Sequence, residues 1–207
     1  MKIAVIANNF QKEELLTHRL KEDIEIQWLD EVIGVEETEC YIDLLFTPDI
    51  KRIEWLKQLQ PALIIVNEVN LTLKNLPENF IRINGWSTFL KRTVIEACGN
   101  DSVSKSIAEK IVSSFNKTTE WVPDKPGFIS ARVIAMIINE AYFAFEEGVS
   151  SKEEIDTAMK SGTNYPYGPF EWTEKIGVKK VYDLLSELAK TNIKYEAAPE
   201  LKKEALA

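Results

Sequence analysis

An α/β part with a mostly parallel sheet, running to about residue 120, and an all-helical part over 121–207 are what this sequence predicts. Three observations predict them. Short apolar runs alternate with segments of helical spacing through the first half, the pattern of βαβ units. From Ser102 onward the spacing is helical almost to the end. Within that second stretch, Pro123-Asp124-Lys125-Pro126-Gly127 is a run of turn formers that breaks any regular element.

Lys2–Ala7 is apolar after its lysine, as a strand covered on both faces requires. Gln11–Lys21 sets Leu15, Leu16 and Leu20 on one side of a helix. Ile24–Leu29 alternates and forms a second strand, closed by Asp30. Cys40–Phe46 is a third strand, and Ile50–Leu59 a helix carrying Ile53, Leu56 and Leu59. Ala62–Val66 follows Pro61 as a fourth strand, and Phe80–Ile83 is a fifth. Ser104–Phe115 is helical and Thr118–Val122 extended.

Phe128–Glu147 is a long helix, apolar nearly all round. Such a helix must be buried on several sides, in a helical core or a subunit interface, with Arg132 and Glu140 paired inside. Gly148 stops it. Ser151-Lys-Glu-Glu154 has the capping-box form and opens a helix that ends near Ser161-Gly162. Phe170–Ile176, started by Gly168-Pro-Phe-Glu171 and stopped by Gly177, is short; Val178–Lys190 is the last long helix. The tail, Asn192–Ala207, reads as polar and broken by proline. Trp86, Trp121 and Trp172 read as core or interface fillers.

Of 207 residues, 45% are hydrophobic and 28% charged, ordinary values for a globular chain with a sizeable core. The net charge of −8 argues against nucleic acid, which needs clustered Lys and Arg, but leaves room for a local basic patch that would take an anion such as coenzyme A. No apolar stretch is long enough to span a membrane, and no signal peptide is visible. The two cysteines, Cys40 and Cys98, have neither metal-site nor redox spacing, so reduced thiols in the cytoplasm are expected and no metal. The single histidine, His18, sits in the first helix and reads as a surface residue.

The first strand raises a chemical question. An apolar strand of this kind heads a dinucleotide-binding unit, where it runs into Gly-x-Gly-x-x-Gly and the bare backbone approaches a pyrophosphate. Here Ala7-Asn8-Asn9-Phe10-Gln11-Lys12 offers no glycine. Asn8 and Asn9 tolerate the left-handed angles of a turn. Asp30, about 20 residues further on, stands where an acid would hold ribose hydroxyls.

The second half carries a resemblance. Lys125-Pro-Gly-Phe-Ile-Ser-Ala-Arg132, Asn139-Glu-Ala141, Glu146-Glu-Gly-Val149, Ile155-Asp-Thr-Ala-Met159, Tyr165-Pro-Tyr-Gly-Pro-Phe-Glu171 and the tail Tyr195-Glu-Ala-Ala-Pro-Glu-Leu-Lys-Lys203 follow in one order. Together they resemble the C-terminal domain of the 3-hydroxyacyl-CoA dehydrogenases. The resemblance implies a truncated Rossmann-like domain over 1–120, then a helical domain of the 6-phosphogluconate-dehydrogenase-C-terminal-like kind over 121–207. It also implies an NAD-dependent oxidoreductase of fatty acid metabolism, with a homodimer formed through the helical domain.

In that register Glu96 takes the place of the family's catalytic glutamate, and Asn84, twelve residues earlier, that of the catalytic histidine. An Asn side chain has no titratable group near neutral pH and cannot act as the base. Asn8, Asn9 and Asp30 fall at cofactor-binding positions, and Asn67, Ser87 and Ala131 at substrate-binding ones. The family has Asn where Ala131 stands, and alanine donates nothing to an oxyanion; losing one such donor costs about 3–4 kcal/mol of transition-state stabilisation. The Asp30–Cys40 segment is far shorter than the family's helical excursion there.

Three readings follow. The first is a pseudoenzyme relative that no longer runs hydride transfer but keeps a place for acyl-CoA or a related ligand. The second is an active NAD-dependent 3-hydroxyacyl-CoA (3-hydroxybutyryl-CoA) dehydrogenase with a remodelled site. The third is a non-catalytic dimeric scaffold.

Overall fold

The computed structural model describes residues 1–21 and 24–207. In chain order it contains β1 (Lys2–Ile6), α1 (Asn9–Leu15), β2 (Glu25–Leu29), β3 (Cys40–Asp43), α2 (Ile50–Lys57), β4 (Leu63–Asn67), β5 (Phe80–Ile83), β6 (Val94–Cys98), α3 (Ser102–Ser114) and β7 (Thr118–Trp121). Then follow α4 (Ser130–Glu146), α5 (Lys152–Thr163), α6 (Pro169–Ile176), α7 (Val178–Ala189) and α8 (Pro199–Leu206). The class is α/β followed by all-α, as expected. No helix among the described residues is long and apolar enough to cross a membrane.

The strands form one seven-stranded sheet in the order β2-β1-β3-β4-β5-β6-β7. All pairings are parallel except β5 with β6. The six-stranded two-half dinucleotide fold has the order 3-2-1-4-5-6. Deleting its outermost strand and renumbering leaves the β2-β1-β3-β4-β5 run seen here. The short crossing from β2 to β3 replaces that strand and its helix. Tyr41 pins the crossing: its hydroxyl accepts the Val35 N–H at 2.7 Å and donates to the Val35 carbonyl at 3.2 Å. β1, β3 and β4 are buried and mainly apolar, as a sheet covered on both faces requires, and the buried Asp43 that ends β3 is paired with Arg52 at 2.7 Å.

Two compact units divide at Phe128–Ile129. The sequence placed the boundary at 120–121. The difference arises because β7 pairs with β6 inside the sheet, and the residues after it stay with the sheet unit.

Three further expectations change. The first helix ends at Leu15 rather than Lys21, because the Thr17 hydroxyl donates to the Glu14 carbonyl at 2.8 Å and competes with the next helical turn. β6 was not foreseen; its burial alternates only over five residues and its first residue, Val94, is exposed. The tail is not broken by Pro199. That proline is the first residue of α8, where its missing N–H costs nothing, and Leu201 and Ala205 anchor the helix.

In the helical unit, α4 turns Ile134, Ala135, Ile138, Ala141 and Tyr142 inward. Asn139 is buried with them: its amide donates to the Glu196 carbonyl at 2.9 Å and its oxygen accepts the Ala198 N–H at 2.8 Å, which ties the tail to α4. Glu140 is exposed, so it is not the buried partner of Arg132 that the sequence suggested. The Arg132 guanidinium lies 5.7 Å from the Tyr195 ring centroid.

Candidate functional site

The one antiparallel step of the sheet brings two of the predicted site residues together. Register Ile83↔Ala97 places the end of β5 opposite Glu96 of β6. Asn84 donates its backbone N–H to the Glu96 carbonyl at 3.0 Å and its side-chain Nδ2 to Glu96 Oε2 at 2.9 Å. Asn84 is buried and Glu96 half-buried. An amide donating to a carboxylate has no proton-accepting nitrogen of its own. Arg92 stacks on Phe89, with 4.1 Å from guanidinium to ring centroid. Burial lowers its pKa and the Glu96 charge opposes that effect.

Asn67, at the end of β4, is committed to backbone. Its Nδ2 donates to the Leu44 and Gly85 carbonyls at 3.2 and 3.0 Å, and its Oδ1 accepts the Gly85 N–H at 3.0 Å. A Cβ on Gly85 would lie 2.8 Å from Asn67 Cγ, so only glycine allows this approach. Ser87 is half-buried in the loop that follows. Next to it Thr88 has φ 77°, an uncommon angle for a β-branched residue. The buried Glu14 of α1 holds it, each carboxylate oxygen accepting the Thr88 N–H, at 2.7 and 3.0 Å. The buried Lys117 donates to the Arg92 carbonyl at 2.9 Å, on the far side of the same loop. Burial lowers its pKa and the Glu14 charge works against that.

The point where the strand order reverses lies between the C-terminal ends of β1 and β3, where open α/β sheets bind ligands. Here the chain's own side chains meet. Asn8 caps α1: its Oδ1 accepts the Gln11 N–H at 2.9 Å, and Gln11 Oε1 accepts the Asn8 N–H at 3.1 Å. This is a reciprocal capping box, and it uses two amides that would otherwise face an anion. Gln11 Nε2 continues to the Leu44 carbonyl at 2.8 Å, the same carbonyl that Asn67 binds. Gln11 is only 6% exposed. Laid on Ala7–Lys12, the three glycines of the phosphate loop would fall at Ala7, Asn9 and Lys12. Asn9 is exposed at the start of α1, and the Lys12 ammonium sits 4.8 Å from the Trp28 ring centroid. Asp30 is exposed, directly after β2.

Ala131 belongs to the helical unit, in the first turn of α4, and is fully buried. In the same unit the Gly168–Glu171 segment starts α6. Asp156 of α5 accepts the N–H groups of Phe170 and Glu171 at 2.8 and 3.0 Å, and Glu171 Oε2 accepts the Gly168 N–H at 3.0 Å.

The family model described as 3-hydroxyacyl-CoA dehydrogenase, C-terminal domain, matches residues 127–206. The helical unit is thus similar to the C-terminal domain of the 3-hydroxyacyl-CoA dehydrogenases. Among relatives, it is 40% identical over 96 residues to the 3-hydroxyadipyl-CoA dehydrogenase of Escherichia coli, covering 46% of this chain and 20% of that protein. It is 41% identical over 149 residues to the human mitochondrial hydroxyacyl-coenzyme A dehydrogenase, covering 69% of this chain and 46% of that protein. The matches thus span less than half the length of both relatives. The fold agrees with the crystal structure of the (S)-3-hydroxybutyryl-CoA dehydrogenase of Ralstonia eutropha at a TM-score of 0.74 and 18% identity, over 98% of this chain and 92% of that one.

Within this 3-hydroxyacyl-CoA dehydrogenase relative, sequence reading missed two site residues. Gln11 was legible as Asn8-x-x-Gln11, a capping-box spacing. Glu14 had no local signal, because its partner Thr88 lies 74 positions away in the chain.

Proposed function

We propose that this chain is a 3-hydroxyacyl-CoA dehydrogenase relative in which hydride transfer has been lost, and that it works as a dimeric acyl-CoA-binding protein of the cytosol. The observation that carries this reading is the Asn84 amide seated on the Glu96 carboxylate. At the family's histidine position stands a group that donates to the glutamate but takes up no proton. Proton transfer by a placed side chain contributes about 10²–10⁴-fold in rate, so its loss removes the usual route.

The residues at the head of β1 do not fit a dinucleotide. At the head of α1 the Asn8 and Gln11 N–H groups are taken by each other's side chains, and the buried Gln11 amide goes on to the Leu44 carbonyl beside the end of β1.

The helical unit supports pairing. Beyond the inward face of α4, Val133 and the preceding Ile129 are 52% and 55% exposed, beside a groove of about 430 Å³ lined by Val133, Met136, Ile137 and Tyr195. Arg132, Lys194 and Glu140 also line it, so both signs of charge are present. A two-fold contact sets a patch against itself, and such a patch closes when its charges are mixed. Both cysteines are buried free thiols, which suits a reducing compartment.

The test is calorimetric titration of the full chain with NAD and with 3-hydroxybutyryl-CoA, alongside an assay for NAD reduction. Acyl-CoA binding without NAD binding or turnover is the expected result. Oxidation of 3-hydroxybutyryl-CoA at an ordinary rate, within the 1–10³ s⁻¹ range typical of enzymes, would sink the reading.

A further inference from the structure

Arg82 is the one charged residue of β5, and its side chain is wholly buried. Its Nε donates to Asp124 Oδ1 at 2.8 Å. Its terminal nitrogens donate to the carbonyls of Glu68, at 3.1 Å, and of Leu71 and Lys125. One of them lies 3.9 Å from Cys98 Sγ, and that thiol donates to the Val122 carbonyl at 3.2 Å. The guanidinium carbon stands 4.3 Å from the centroid of the Phe128 ring.

Two more bonds close the arrangement without touching Arg82. Asp124 Oδ2 accepts the Leu73 N–H at 2.9 Å, and the Gly127 N–H donates to the Val69 carbonyl at 2.8 Å. Every partner belongs to β6, to the stretch after β4 or to the stretch after β7. Moving the last of these away would break the buried guanidinium's hydrogen-bonded ion pair with Asp124 and its bond to the Lys125 carbonyl, a costly loss even with the Glu68 charge still acting on it. Gly127 and Phe128 are both left-handed, at φ 83° and 49°. A phenylalanine holds that angle only where its surroundings over-determine it, and Arg82 against its ring is one such constraint.

We propose that Arg82 latches the whole Val122–Phe128 segment to the sheet unit. The proline-rich run then serves as a fixed strap rather than a flexible linker. This device does not depend on what the chain binds.

Amide hydrogen exchange on the full chain tests it. In the unaltered protein, the Leu73 and Gly127 amides exchange with protection comparable to Ile65 of β4. In Arg82→Met, both are expected to exchange at least about tenfold faster while Ile65 keeps its protection, since local openings are read independently of the global one. Should Arg82→Met fail to fold, Asp124→Ala removes the latch from its other end, and the Gly127 amide, bonded to neither residue, reports release. Rapid exchange of Leu73 and Gly127 in the unaltered protein overturns the latch. So does an unchanged Gly127 amide in a folded variant of either kind.

Discussion

Asn84 and Glu96 are locked at two points across the antiparallel step between β5 and β6, backbone to backbone and amide to carboxylate. The geometry is that of a donor held by an anion. An imidazole placed at residue 84 would meet the same anion with a ring N–H. In the proposed reading, Glu96 is the orienting half of an acid–base pair and Asn84 stands in for the titrating half.

Asn84→His should therefore give an imidazole whose pKa lies above the ordinary value of about 6.5, because the Glu96 carboxylate favours the charged ring more than burial disfavours it. The folded pKa is raised, so the stabilisation is full below the unfolded pKa and fades as pH rises through the folded one. His18 is the only native histidine, so NMR titration reads the new ring without ambiguity. Adding Glu96→Gln should lower that pKa again. A ring titrating below the ordinary value with Glu96 intact would mean the carboxylate does not face it.

Gln11→Ala should cost about 1–2 kcal/mol, the usual loss for a helix cap together with a buried hydrogen bond to a carbonyl. Urea unfolding should show a lower midpoint with an unchanged slope. An unchanged midpoint would mean the Leu44 carbonyl finds another donor at once.

The strands that are plain apolar runs were legible because burial on both faces leaves no other pattern for them. The site was legible in its register but not in its closure. The resemblance places Asn67 at a substrate-binding position, and its bonds to Leu44 and Gly85 had no local signal, because the strand ends that converge on it come from residues far apart in the chain. Arg82 showed only as a charge within Phe-Ile-Arg-Ile. Its partners emerge once β4, β6 and the segment after β7 are folded against it. The boundary near 120 was placed on the change from strand-and-helix to helical spacing, and the two compact units divide at Phe128–Ile129.

Gly168→Ala should destabilise the helical unit by about 1–3 kcal/mol, the range for overpacking a well-packed site. A Cβ there would lie 2.3 Å from Asp156 Cγ, and Asp156 carries the first-turn amides of α6. Thermal unfolding should shift downward. A melting temperature equal to the parent's would show that Asp156 moves aside without loss.

Glu171 has its pKa lowered, chiefly by the Lys160 ammonium and next by the Gly168 N–H. A carboxylate with a depressed folded pKa contributes stability above its unfolded value, and that contribution fades as pH falls through the folded one. Glu171→Gln should thus flatten the loss of stability on acidification from neutral pH through the carboxylate range. Identical acid limbs for parent and variant would remove the salt bridge from the account.

The proposed two-fold contact along α4 gives the last prediction. Val133 is 52% exposed and lines the groove beside Met136 and Ile137. In an isologous contact every residue meets its copy's surroundings, so one substitution is introduced twice. Val133→Glu places two carboxylates in the apolar part of the patch, where a desolvated charge without a partner is costly. Sedimentation equilibrium should show a dimer for the parent and for Val133→Ala. For Val133→Glu the dissociation constant should rise at least about tenfold, equivalent to 1.4 kcal/mol. The helical unit's inward face does not include residue 133, so its circular dichroism and melting should be unaltered. A parent chain that sediments as a monomer, or a Val133→Glu dimer as tight as the parent's, would place the contact elsewhere and leave the exposed face of α4 without this partner.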